Sequence, residues 1–210
     1  MNILPEQLRL YAVTDRRWLG GRSLAEDVEA AMQGGATCVQ LREKELDTEA
    51  FLQEARTLQA LCEKYRVPLI INDDPEIARL SGAAGVHVGQ KDRSAREVRR
   101  ILGERAVIGV SAATVAEAVQ AEADGADYIG CGAVFSTSTK TNTRSVDNAL
   151  LSQICAAVHI PVVAIGGITR ENAPSLRGTG IAGIAVVSAI FAQENRRAAA
   201  ESLNAQEVWK

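Results

Sequence analysis

The sequence predicts an α/β fold, a single-domain (β/α)8 TIM barrel, from three observations. Short continuous apolar runs alternate with longer amphipathic segments, the alternation reaches eight, and no dinucleotide-binding glycine fingerprint joins a strand-like run to the helix-like segment that follows it. Short apolar runs bounded by turn residues suit strands of a parallel sheet covered on both faces. An open doubly wound sheet is the competing arrangement, and the count of eight and the missing fingerprint weigh against it. Spread over eight units, 210 residues give about 26 per unit, compact for such a barrel. The expectation is therefore one domain, 1–210, with no room for a second.

The expected strands lie at Leu10–Thr14, Thr37–Leu41, Val67–Asn72, Gly85–Val88, Ala106–Val110, Tyr128–Cys131, Pro161–Ile165 and Ile181–Val187, with helix-like segments between them and one more after the last. Ser23-x-x-Glu26, Ser94-x-x-Glu97 and Thr114-x-x-Glu117 have the capping-box pattern, in which each side chain satisfies an orphan backbone donor. After Asp47, residues Phe51, Ala55, Leu58, Cys62 and Tyr65 form one apolar helical stripe, and Pro68 follows its end. Asp74-Pro75-Glu76 reads as N-cap, first-turn proline and first-turn acid.

Composition excludes several classes. The net charge of −3, with 23 Lys and Arg against 26 Asp and Glu, gives no basic footprint for nucleic acid. No apolar run approaches the ~18 residues of a membrane helix, and the first residues lack a signal-peptide pattern. The expectation is a cytoplasmic protein acting on small molecules, with neither nucleic acid nor membrane as partner. Cys38, Cys62, Cys131 and Cys155 are far apart and read as reduced thiols in the core.

In a barrel of this kind the chemistry sits where the strands end. Gln40, Arg42 and Lys44 alternate along an extended stretch and share a side if Leu41 packs outward; they read as an anion site, or as surface cations matched by Glu43 and Glu45. Asp73 and Asp92 follow neighbouring strands. Two such carboxylates suit a hard cation such as Mg²⁺, with helix capping as the alternative, although Asp74 and Ser94 are better placed to cap. Ser111 reads equally as a phosphate donor or a loop serine. The 132–148 loop carries Ser136, Thr137, Ser138, Thr139 and Lys140, a mobile-lid and oxyanion-cradle pattern or a plain solvated loop. Gly166-Gly167 and Val187-Ser188 stand where barrels often bind phosphate. His87 and His159 show no zinc spacing and no triad, and His87 reads as a buried strand residue.

These motifs together resemble the thiamine phosphate synthase family, from about Leu10 to Ile190. They are Gln-Leu-Arg-Glu-Lys at 40–44, Ile-Asn-Asp at 71–73, Gly-Val-His-Val-Gly-Gln-x-Asp at 85–92, Ile-Gly-Val-Ser at 108–111, Val-Phe-x-Thr-Ser-Thr-Lys at 134–140, Ala-Ile-Gly-Gly-Ile at 164–168 and Val-Val-Ser-Ala-Ile at 186–190. The resemblance implies a transferase that joins a hydroxymethylpyrimidine pyrophosphate to a thiazole phosphate, giving thiamine phosphate and pyrophosphate through a pyrimidine-stabilised carbocation. It implies that Gln40, Leu41, Arg42, Glu43, Lys44, Asn72, Ser111 and Lys140 hold the pyrimidine pyrophosphate. It also implies that Thr137, Ser138, Thr139, Gly167, Val187 and Ser188 meet the thiazole phosphate, and that Asp73 and Asp92 bind Mg²⁺. Arg42, Lys44, Ser111 and Lys140 are the implied catalytic set.

Asp74, Ala133 and Ala112-Ala113 depart from the common pattern, and none replaces a residue with an implied direct role. A sister thiazole tautomerase and a catalytically silent thiamine phosphate binder are the rival readings. Retention of Arg42, Lys44, Asp73, Asp92 and Lys140 favours the synthase over the tautomerase.

Overall fold

The first strand, Leu10–Val13 (β1), and the last, Gly183–Val186 (β8), pair in parallel with Tyr11 opposite Ala185, and this pairing closes the sheet. The computed structural model describes residues 3–136 and 145–210. Between these two strands lie Cys38–Leu41 (β2), Leu69–Asn72 (β3), Gly85–Val88 (β4), Val107–Ala112 (β5), Tyr128–Cys131 (β6) and Val162–Ile165 (β7), each parallel to its sequence neighbour. The result is the expected eight-stranded barrel.

The helices are Leu24–Gln33 (α1), Thr48–Tyr65 (α2), Pro75–Ser81 (α3), Ala95–Leu102 (α4), Val115–Ala123 (α5), Asn148–Ala157 (α6), Ser188–Phe191 (α7) and Arg196–Asn204 (α8). Ser23 and Ser94 form full capping boxes with Glu26 and Glu97, and Asp47 and Asp74 cap α2 and α3. Thr114 caps α5, while Glu117 turns its carboxylate to the N–H of Ala113. On α2 the stripe Phe51, Ala55, Leu58 and Cys62 is buried, as its spacing requires. Between β7 and β8 there is no α-helix but a 3-10 turn, Ala173–Leu176. Pro174, Gly178 and Gly180 interrupt that connection, so no run long enough for a helix remains.

The strand side chains divide with period two. Leu10, Ala12, Val39, Leu41, Val86, Val88, Ile129 and Cys131 belong to the shell between strands and helices. Tyr11, Val13, Cys38, Ile70, Val107, Tyr128, Val163 and Ala185 form a separate interior cluster, joined by Ile3 and Leu8 from the segment before β1. Because both faces are covered, the strands are mostly apolar, with Gln40, Asn72, His87 and Ser111 as polar positions among them.

Two buried aspartates fasten the outside through arginines. Asp27 on α1 lies 2.8 Å from Arg22 Nε and 3.3 Å from Arg196 Nε on α8, joining the first and last helices of the ring. Burial pushes the Asp27 carboxyl upward against the pull of both arginines. Arg99 on α4 reaches Asp127 Oδ2 at 2.8 Å, and that same oxygen accepts from the Ile108 N–H. All four cysteines are free thiols, and among the described residues no helix is long and apolar enough to cross a membrane.

Candidate active site

A cavity of about 170 Å³ opens among the strands and the loops that follow them. The alternation along β2 places two predicted residues in its wall. Gln40 is buried with its side chain inward, and Arg42 follows one pleat later, while Leu41 between them packs into the outer shell. Arg42 is held from β1: its N–H donates to Thr14 Oγ1 at 3.0 Å, and its Nη1 stands 4.0 Å from buried Asp15. Side-chain hydrogen bonds from Arg17 hold the Asp15 carboxyl below the usual range against the effect of burial, so its charge persists beside Arg42.

Glu43 faces away from the cavity. Its carboxylate accepts from Arg16 Nε at 2.8 Å and from the N–H groups of Lys44 and Glu45 at 2.7 and 2.9 Å, which folds the β2–α2 loop around it. Arg16 also reaches Glu54 on α2 at 2.7 Å. Lys44 reaches across to the next loop and donates to Asp73 Oδ2 at 2.7 Å. Asp73 itself has φ 65°, and its N–H donates to the carbonyl of His87.

Asn72 lines the cavity. Asp92 lies beyond it, with Oδ2 accepting the Gly89 N–H at 2.8 Å. Ser111 on β5 lines the cavity, and its carbonyl is held by Gln90 Nε2 at 2.7 Å. Gly167, Val187 and Ser188 form the opposite wall. Gly167 has φ +63°, and a Cβ there would lie 2.3 Å from the carbonyl oxygen of Ser136, so only glycine fits. Thr137, Ser138, Thr139 and Lys140 lie outside the described residues.

The family model described as thiamine monophosphate synthase matches residues 10–190. The chain belongs to the thiamine monophosphate synthase family. A thiamine-phosphate synthase of Ruminiclostridium cellulolyticum is 52% identical over 194 residues, covering 92% of each chain. One from Clostridium tetani is 47% identical over 194 residues, covering 92% of this chain and 93% of the other. Among solved structures, thiamine phosphate pyrophosphorylase from Pyrococcus furiosus superposes with a TM-score of 0.92 at 37% identity, covering 99% of this chain and 100% of that one.

In this member of the family, the structure brings Gln40, Arg42, Asn72, Ser111, Gly167, Val187 and Ser188 to one cavity. It sets Leu41, Glu43, Lys44, Asp73 and Asp92 behind or beside it. It also adds Tyr11 and Tyr128, which sequence reasoning passed over, and His87, which it read as a buried strand residue. Tyr11, His87 and Tyr128 line the floor. Tyr11 and Tyr128 are buried, their hydroxyls 2.9 Å apart, and burial pushes both phenols well above the ordinary value, so each keeps its proton. His87 is half-buried, with Nδ1 2.9 Å from Tyr128 Oη and Nε2 2.9 Å from Ser111 Oγ. A usable signal was present: once Val86 and Val88 are assigned to the outer shell, period two turns His87 inward. Gly109 and Gly130 make the room, since a Cβ would lie 2.1 Å from the Tyr128 ring and 2.8 Å from the His87 ring respectively. Some of the abundant glycines therefore serve the barrel interior as well as the joints between elements.

The donors at Asp73 and Asp92 are compatible with Mg²⁺. Each carboxylate has one oxygen engaged, by Lys44 or by the Gly89 N–H, and its second oxygen has no hydrogen bond among the described residues. Among the described residues no group of three or more His, Cys, Asp or Glu is placed to hold a metal alone. Two carboxylates thus suit a hard cation that takes the rest of its shell from substrate oxygens and water.

Proposed function

We propose that this chain is a Mg²⁺-dependent thiamine phosphate synthase of thiamine biosynthesis, working as one barrel domain in the cytoplasm. It joins a hydroxymethylpyrimidine pyrophosphate to a thiazole phosphate and releases pyrophosphate. The observation that carries the reading is that a single cavity connects Arg42 and Ser111 on one wall to Gly167 and Ser188 on the other. Two phosphorylated substrates that must react with each other need such a shared space.

Arg42 offers a planar fork of donors suited to phosphate oxygens, and Asp15 fixes its direction. The Ser111 hydroxyl adds a short, fixed donor. Preorganised donors of this kind stabilise the charge that develops on a departing pyrophosphate. Lys44, held to Asp73, adds positive charge beside it. Asp73 and Asp92 would hold Mg²⁺, which when bound supplies further neutralisation of the leaving group. Gly167, Val187 and Ser188 orient the thiazole phosphate, so that its ring nitrogen faces the carbon that loses pyrophosphate. Lys140 would act on the leaving group and Thr137, Ser138 and Thr139 would meet the thiazole phosphate, as the resemblance of 134–140 to the family implies.

A substitution of this kind needs no enzyme nucleophile, and the cysteines agree. Burial pushes the Cys38 thiol well up, Cys62 and Cys131 to about 12 and Cys155 to about 11, so none is a thiolate near neutral pH.

The test is to incubate the folded protein with both substrates and Mg²⁺ and to measure pyrophosphate and thiamine phosphate. Equal release of both is expected, and only when both substrates are present. A folded protein that binds the substrates yet releases neither product overturns the reading. Isomerisation of the thiazole phosphate alone would identify the tautomerase.

A further inference from the structure

The cavity floor is crossed by an unbroken chain of polar side chains from five strands. Gln40 Nε2 is 2.9 Å from Tyr11 Oη, Tyr11 Oη is 2.9 Å from Tyr128 Oη, Tyr128 Oη is 2.9 Å from His87 Nδ1, and His87 Nε2 is 2.9 Å from Ser111 Oγ. Each hydroxyl has one hydrogen to give, and a neutral imidazole donates from one nitrogen and accepts at the other. A hydroxyl can accept more than once but donate only once, so the direction of the chain follows from where each single hydrogen finds its best acceptor.

Gln40 starts the chain as a donor, because an amide nitrogen has no lone pair to offer. Tyr11 then has its own hydrogen to place. Its hydroxyl is buried, and the neighbouring Cys38 thiol is a weak acceptor that gives its hydrogen to the Pro68 carbonyl. Tyr128 Oη is the good acceptor, so Tyr11 donates to it. Tyr128 in turn donates to His87 Nδ1. The imidazole proton is left on Nε2 and points at Ser111 Oγ.

We propose that Gln40, Tyr11, Tyr128 and His87 act as positioning residues: their directed hydrogen-bond chain fixes His87 as the Nε2–H tautomer and so commits the Ser111 hydroxyl to donate into the cavity. This rests on the reading that Ser111 faces the departing pyrophosphate. The polarity matters because the same contacts run backwards would give the opposite chemistry. Ser111 would then donate to His87 Nε2, presenting lone pairs to an anion, in the manner of a serine–histidine nucleophile pair. Run forwards, the chain keeps Ser111 from that role and makes it an anion donor. No bond is made or broken in the device; it sets only where hydrogens point before the substrate arrives.

The test reads the tautomer directly and needs no substrate. The chain has two histidines, and the His159 side chain is 97% exposed, so it serves as the solvent reference. In protein labelled with ¹⁵N-histidine, above the ordinary histidine titration range, long-range ¹⁵N–¹H correlation is expected to show His87 with a pyridine-type Nδ1 and a pyrrole-type Nε2. An Nδ1–H signature overturns the proposal. Gln40→Glu turns the first residue into an acceptor and is expected to shift His87 toward Nδ1–H. Tyr128→Phe removes the donor to Nδ1 and is expected to give a mixed-tautomer signal, so the result stands even if the buried glutamate does not fold. A folded Tyr128→Phe with an unchanged His87 tautomer overturns the proposal as well.

In turnover, Tyr128→Phe is expected to lower kcat roughly tenfold while the KM for thiazole phosphate stays put, since the lost effect lies on leaving-group stabilisation. An unchanged kcat in that variant would overturn the link to Ser111. If the wild-type protein shows the Nε2–H tautomer but releases no pyrophosphate, the proposed activity falls while the chain polarity stands.

Discussion

Lys44 Nζ donates to Asp73 Oδ2 across 2.7 Å, tying the loop after β2 to the loop after β3. The lysine side chain is 52% exposed and the aspartate 34%, and ion pairs in such settings contribute little to stability. A pair that does little for the fold but stands beside the proposed leaving-group site points to function. Lys44→Met should cost no more than about 1 kcal/mol in denaturant unfolding. Pyrophosphate release by the same variant should fall by about tenfold or more through loss of charge at the leaving group. A large stability loss with normal turnover would reverse that assignment.

Asp92 holds the Gly89 N–H through Oδ2, its other oxygen has no hydrogen bond among the described residues, and it is one of the two proposed ligands of Mg²⁺. Asp92→Asn keeps an acceptor for Gly89 and removes the charge. It should therefore fold and melt like the parent while losing Mg²⁺-dependent turnover. Titration of activity against Mg²⁺ concentration checks this, and an unshifted dependence would take Asp92 out of the metal site.

Gly167 tests the opposite wall. An alanine there would press on the Ser136 carbonyl at 2.3 Å and sit at φ +63°. Gly167→Ala should lower stability by about 1–3 kcal/mol and raise the KM for thiazole phosphate far more than that for the pyrimidine pyrophosphate. Steady-state kinetics with each substrate varied in turn separates the two.

Glu43 should leave a mark on acid stability. Burial opposes its charge, but the Glu45 N–H, the Arg16 guanidinium and the Lys44 N–H outweigh it and hold the carboxyl below the usual glutamate range. A carboxyl lowered on folding contributes stability that is present above its unfolded pKa and is lost as pH falls through its folded pKa. The stability gap between the parent and Glu43→Gln should be full at neutral pH and close as the solution is acidified past the carboxylate range. Urea unfolding at a series of pH values measures it, and a gap independent of pH would show that Glu43 acts through packing alone.

Much of the fold and part of the site could be read along the chain. Expected strands overlap all eight observed ones, because burial on both faces leaves a local signature in every run. Ser23, Ser94, Asp47 and Asp74 cap the helices that their spacing marks, since a cap is a contact within three residues. The β7–β8 connection departed from the pattern where Pro174 and its following glycines break the helix. Gln40, Arg42 and Ser111 were legible because strand ends carry polar residues into the barrel mouth. His87 was not, because a histidine flanked by valines looks buried until the outward face of β4 is known.

The sequence alone determined the eight-unit repeat, the caps, the family and the types of side chain at the strand ends, all of which rest on local periodicity or motif. Tertiary structure decided which of those side chains meet. It turned Leu41 outward, wrapped Glu43 in its own loop and paired Lys44 with Asp73. Closing the barrel also lined up Gln40, Tyr11, Tyr128, His87 and Ser111 from β2, β1, β6, β4 and β5. Contacts 24 to 117 positions apart in the chain have no local signature; they exist because strand register and the space left by Gly109 and Gly130 fix where each polar hydrogen can go.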